Sequence, residues 1–284
     1  MNKLTNKMFK HKLYKKHKKM KKILLFTALI FTTVAIVHAQ SKTSIKGKEV
    51  SYTSADGTNL KGYVAYNAKL KGKRPVIVVI PEWWGCGTYV RKRADKLAKL
   101  GYIAIAADFY GEGKLGNDPK EAAALAGPFY GNPQLAQERI EAAVNKVKEF
   151  PQANAKKMAC IGYCFGGSMS LFAAKLGMDF KGVVSFHGGL AGVPATSGTT
   201  KAKILVCHGA ADKFVSPEEV KNFRHNLDSV KVPYTFIAYP NATHAFTNPE
   251  ATANGKKFSM PIEYNAAADK KSWADMKTFF KTIF

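Results

Sequence analysis

The sequence predicts an α/β protein with a mostly parallel central sheet, helices on both faces and antiparallel strands at its start. Three observations carry this. Short β-branched runs without polar alternation, such as Pro75-Val76-Ile77-Val78-Val79-Ile80, have the composition of strands buried on both faces. Segments of helical periodicity separate these runs, and strands that alternate with helices pair in parallel. At the centre, Gly162-Tyr163-Cys164-Phe165-Gly166-Gly167 joins an apolar run at 158–161 to helix formers at 168–176, which predicts strand, sharp turn and helix.

Taken in order, residues 48–53 and 60–66 alternate in polarity around Ala55-Asp56-Gly57-Thr58, a hairpin signal. The strand at 75–80 ends at Pro81-Glu82-Trp83-Trp84-Gly85. Residues 89–100 place apolar or small side chains at helical spacing, and Gly101 ends them as a C-cap would. A second buried strand follows at 102–108. Residues 109–132 are rich in Gly, Pro and aromatics, with a short alanine-rich helix at 119–126, an excursion of the kind that covers a site. Asn132 before Pro133 opens a long amphipathic helix over 133–150. Strands are predicted at 182–186, 203–207 and 234–239, with Ser216 capping a helix between the last two and an amphipathic helix closing the chain at 266–283. No internal repeat and no linker divides this region, so 40–284 is expected to be one domain.

The 284 residues carry a formal charge of +24, distributed unevenly. Residues 1–40 hold ten lysines and no acid; without them +14 remains, scattered among acidic residues as on a solvated surface. Nucleic-acid binding is not expected. The basic run leads into an apolar segment at 23–37, short for a membrane span, and then Val37-His38-Ala39. This is the layout of a secretory signal over 1–39, with cleavage after Ala39 and Gln40 as the mature start; Met20 is an alternative start of translation. An uncleaved N-terminal anchor is the rival reading. Cleavage implies a periplasmic or secreted protein without stable membrane insertion. The four cysteines, Cys86, Cys160, Cys164 and Cys207, fall in predicted strands and site loops rather than in the spacing of a disulfide framework.

Loops at the carboxyl ends of parallel strands converge on one edge of a sheet. Glu82, Trp83, Cys164, Asp212 and His244 all follow predicted strands. A thiol is ionised to only a few per cent at neutrality and needs a partner that favours the thiolate. His244 can supply that, and Asp212 can orient the imidazole and stabilise its charged form. The order nucleophile, acid, histidine is that of an α/β-hydrolase triad. His187 also ends a strand and competes as the base, but it precedes the acid. The backbone N–H groups of Trp83 and Phe165 are the expected oxyanion donors. Two readings of Glu82 stay open: a surface ion pair with a lysine, or a carboxylate facing the thiol and holding it neutral until substrate arrives. Neither a metal-ligand spacing nor a nucleotide-binding phosphate loop is present, so no metal and no cofactor are expected.

Gly-Tyr-Cys-Phe-Gly-Gly, the Glu82 loop, His208-Gly-x-x-Asp212 and Thr243-His244-Ala245-Phe246 resemble the dienelactone hydrolases, or carboxymethylenebutenolidases, of the α/β-hydrolase superfamily, over residues 49–284. The resemblance implies a Cys164, Asp212, His244 triad, Glu82 as the carboxylate beside the thiol, and Trp83 at the oxyanion position. In that family two arginines hold a substrate carboxylate. Here the position four residues after the histidine is Asn248, and 109–132 contain no Arg. With Trp83, Trp84, Phe129, Tyr130 and Phe246 nearby, the expected substrate is a less charged ester, lactone or thioester, with Glu82, Trp84, Tyr130 and Phe246 as its contacts or as gates to the thiol. A monomer is expected. Two rival functions are a non-catalytic envelope protein that keeps the fold as a binding cleft, and a redox protein using Cys86 and Cys164.

Overall fold

β3 (Arg74–Ile80) is the strand against which the rest of the sheet is arranged. In the computed structural model, which describes residues 44–284, its neighbours are β4 (Ile103–Ala106) on one side and β5 (Ala153–Tyr163) on the other, both parallel to it. The chain thus leaves β3 in one direction and returns to pair on the other, which opens a crevice at the carboxyl ends of these strands. Beyond β5 lie β6 (Gly182–Phe186), β7 (Lys203–Gly209) and β8 (Tyr234–Tyr239), all parallel. Beyond β4, the hairpin of β1 (Ile45–Thr53) and β2 (Asn59–Asn67) adds the antiparallel edge. The eight-stranded order is β1-β2-β4-β3-β5-β6-β7-β8. The sequence places the antiparallel start and the parallel body where they occur.

The period-2 alternation of each strand divides the core into two layers. Val76, Val78 and Ile80 pack with α3 (Pro133–Lys148), α4 (Phe165–Lys175) and α5 (Pro217–Ser229) through Ile140, Met169 and Phe223. Ile77 and Val79 face α1 (Thr88–Lys99) and α7 (Ala266–Phe280) through Val90, Leu97, Met276 and Phe280. Caps fix the helix starts: Asn132 accepts from the Leu135 N–H, Ser216 from Glu219 and Asn265 from Ala268. Residues 44–284 form one compact unit. The expected signal segment lies outside the described residues.

Several elements differ from expectation, among them the following. β5 begins at Ala153, because the polar stretch before Met158 pairs with the start of β3 across a register irregularity at Pro75/Val76. α2 (Pro119–Gly131) runs through Pro128 instead of ending at Ala126. The last helix stops at Phe280. α6 (Ala251–Phe258) was not visible in the sequence, since its eight residues include a central glycine and show no clear apolar stripe.

Candidate active site

The turn after β5 holds Cys164 at φ 53° and ψ −118°, a strained conformation for a residue with a side chain. Two glycines make it possible. A Cβ at Gly162 would lie 1.8 Å from the Gly166 carbonyl oxygen, and one at Gly166 would lie 2.4 Å from the Ile80 oxygen. The tight approach of strand and helix thus excludes any larger residue at either position, and it turns Cys164 outward over the crevice.

Cys164 Sγ lies 3.0 Å from His244 Nε2, and His244 Nδ1 lies 2.9 Å from Asp212 Oδ2. The other Asp212 oxygen accepts from the Phe214 N–H at 2.8 Å, which fixes the carboxylate. Burial pulls the His244 imidazole down, but the charge of Cys164 and the hydrogen bond to Asp212 outweigh it and lift its pKa to about 10. The ring is held in place edge-on by Phe214 at 5.0 Å and His187 at 5.4 Å between centroids. The sequence order therefore brings all three residues into one hydrogen-bonded row.

Trp83 follows β3, next to the Cys164 turn. Its carbonyl accepts from Tyr110 OH at 2.9 Å, which anchors the loop. Neither the Trp83 N–H nor the Phe165 N–H donates to another group among the described residues. Both are available to a ligand oxygen over Cys164, and the Phe165 N–H is also the first of a helix whose dipole favours negative charge there.

A cavity of about 380 Å³ opens over this row. Glu82, Trp83, Trp84, Tyr130, Cys164 and His244 line it, together with Ala123, Ala126 and Gly127 of α2 and with Met260 and Ile262 after α6. α6 contributes by stacking Phe258 on Trp84 at 5.9 Å. One expected contact is corrected, and one aromatic expected nearby lies behind the site. Phe246 is fully buried and packs beneath the site against His187 and Tyr239, because its position after the loop turn points it into the core. Phe129 is buried against Phe109 and Phe165.

Glu82 is buried at 4 % exposure, so it makes no surface ion pair. Its Oε2 accepts from Asn248 Nδ2 at 2.6 Å, while Oε1 has no partner among the described residues. Burial raises its pKa from an ordinary 4.5 to about 7, against the opposing pull of the Asn248 bond. Cys164 is paired with His244 rather than with Glu82 in this state. Asn248 thus holds Glu82 and does not line the cavity. Cys86 is buried, and burial pushes its thiol up to about 12; all four cysteines are free, which leaves the redox reading without support.

Sequence reasoning missed a buried polar group behind the site: Thr247 with Tyr89 and Arg93 of α1 and Asp269 of α7. Only the closeness of Thr247 and Asn248 to His244 in the chain could have flagged them.

The dienelactone hydrolase family pattern matches residues 60–284. Protein usf of Aquifex pyrophilus is 30 % identical over 198 residues, covering 68 % of this chain and 84 % of its own. Among solved structures, a dienelactone hydrolase-like promiscuous phosphotriesterase from metagenomic libraries superimposes with TM-score 0.79 at 32 % identity, covering 84 % of this chain and 99 % of its own. A structure named m3DLH gives TM-score 0.77 at 32 % identity, covering 85 % and 99 %. With the fold, the thiol turn and a family match that spans the sheet from β2 to the last helix, the chain belongs to the dienelactone hydrolase family, and its activity is that of a hydrolase.

Proposed function

We propose that this chain hydrolyses uncharged carboxylic esters, lactones or thioesters through a covalent acyl-enzyme on Cys164. The observation that carries this reading is the row Asp212, His244, Cys164, with contacts of 2.9 and 3.0 Å, opening on a mostly apolar cavity. Cys164 passes its proton to His244 Nε2, 3.0 Å away, and its sulfur attacks the carbonyl carbon, forming a C–S bond while the carbonyl electron pair moves to oxygen. That oxyanion accepts from the Trp83 and Phe165 N–H groups. As the intermediate collapses, the alkoxide leaves with a proton from His244, and a thioester remains. His244 then takes a proton from water, whose oxygen attacks the thioester; the sulfur departs and the carboxylic acid is released. Asp212 holds the Nδ1 proton throughout.

Among the described residues, no Lys or Arg lines the cavity. A substrate carboxylate would have no cation there and would sit near Glu82, so a neutral substrate fits better. A second reading, turnover of neutral phosphotriesters, draws on the 32 % identical neighbour that acts on them. The test is a panel of p-nitrophenyl esters, lactones, thioesters and one phosphotriester, assayed with the wild type and Cys164→Ala. Loss of ester turnover in the variant is expected, and a variant as active as the wild type would refute the assignment. We also propose that the protein is exported and begins at Gln40; N-terminal sequencing of exported material that found Met1 or Met20 retained would refute that.

A further inference from the structure

His187, at the end of β6, is fully buried and has both ring nitrogens occupied. The Cys164 backbone N–H is shared between the Phe186 carbonyl at 3.0 Å and His187 Nδ1 at 3.1 Å, so Nδ1 carries the lone pair and the proton sits on Nε2. Nε2–H then donates to Thr247 Oγ1 at 2.7 Å. Only the neutral imidazole satisfies both bonds, and burial holds the ring well below its ordinary pKa. It therefore has no free nitrogen with which to act as the base.

Thr247 lies three residues after His244 in the same loop. Its hydroxyl is 2.6 Å from Tyr89 OH, which accepts from Arg93 Nε at 3.2 Å. Arg93 also donates to the Thr247 carbonyl and, at 2.8 Å, to Asp269 Oδ1. The loop that carries His244 is thus moored to α1 and α7. Among the described residues, no backbone hydrogen bond joins that loop to the Cys164 turn. His187 bridges them, with one nitrogen on the backbone of the thiol residue and the other on the moored loop.

We propose that His187 and Thr247 form a strut that sets the spacing between Cys164 and His244, so that both act as positioning residues for the reaction proposed above. The inference rests on that reading of Cys164 and His244. Displacing a reacting group by about 1 Å can lower a rate on the order of a hundredfold, so a strut of this kind matters more to the chemical step than to substrate binding.

Thr247→Val keeps the side-chain shape and removes the acceptor, while Thr247→Ser restores it. The measurements are the rate at which iodoacetamide alkylates Cys164 at pH 7, located by peptide mass, and kcat and KM on a neutral p-nitrophenyl ester. The valine variant is expected to lose about tenfold or more in both alkylation rate and kcat with KM within about twofold, and the serine variant to recover most of the loss. If Thr247→Val does not fold, His187→Asn takes its place: its Oδ1 can still accept from the Cys164 N–H and Asn tolerates the φ of 41° at this position, but the link to Thr247 is cut. The same kinetic loss is then expected. His244→Ala is the control. If it leaves alkylation unchanged, the reading of the Cys164–His244 pair fails. If His244→Ala slows alkylation but the strut variants keep wild-type alkylation and kcat and lose only thermal stability, the strut is overturned.

Discussion

Glu82→Gln should make the protein more stable, and by an amount that depends on pH. Glu82 is buried, with one carboxyl oxygen unpartnered and the other on Asn248. Burial lifts its pKa from 4.5 to about 7. Below about pH 4.5 the folded and unfolded chains both carry the proton, and the stabilising preference for the protonated folded form is fully present. Between 4.5 and 7 the unfolded chain ionises while the folded site resists, so the folded state loses roughly 1.4 kcal/mol per pH unit. Above 7 the loss levels off at roughly 3 kcal/mol. Glutamine fills the same volume, can accept from Asn248 and never ionises. Urea unfolding of both proteins at pH 4.5, 6 and 8 would show the variant's advantage growing by roughly 3 kcal/mol across that range. A difference that stays constant with pH would refute the assignment of a buried, reluctant carboxylate.

His244→Ala and Asp212→Asn should each lower ester turnover by at least about a hundredfold with the fold intact, checked by kcat/KM and circular dichroism. Asp212→Asn should also lower the pKa of His244, followed by NMR titration of its ring protons, because the imidazolium loses the carboxylate that helps hold it near 10. A neutral ester should exceed a carboxylate-bearing analogue of equal size by about tenfold or more in kcat/KM; equal rates would contradict the cavity argument. Gly127 lies in α2 with nothing within 4 Å of an added Cβ, and it lines the cavity with Ala123, Ala126 and Tyr130. Gly127→Leu should therefore narrow the cavity, so that bulky esters lose on the order of tenfold in kcat/KM and acetate esters do not.

Much of this architecture was legible in the chain. The apolar runs of β3, β6 and β7 are short, unalternating and bounded by turn residues, so their position and their burial on both faces follow from composition. Gly162 and Gly166 mark the thiol turn because close packing of strand and helix leaves room for nothing larger. Asp212 and His244 were found because each directly follows a parallel strand, and topology gathers such residues whatever their separation. What the chain hid depends on side-chain direction and on tertiary partners. Phe246 and Trp84 look alike as aromatics beside site residues, yet one points into the core and the other into the cavity. Asn248 reads as a missing arginine until its contact with Glu82 is seen. The His187–Thr247 link joins residues 60 apart whose periodicity says nothing about each other. α6 meets the site through the stack of Phe258 on Trp84, a tertiary contact that local propensity does not encode.

The central claim is that Cys164 forms the covalent intermediate under the control of His244. Intact-mass and peptide mapping of protein quenched within milliseconds of mixing with a slow p-nitrophenyl ester tests it most directly. The account predicts an acyl adduct on the Cys164 peptide of the wild type, a longer-lived adduct in His244→Gln after forced acylation with excess ester, and none in Cys164→Ala. Steady turnover by Cys164→Ala at the wild-type rate, with no adduct on either protein, would contradict it.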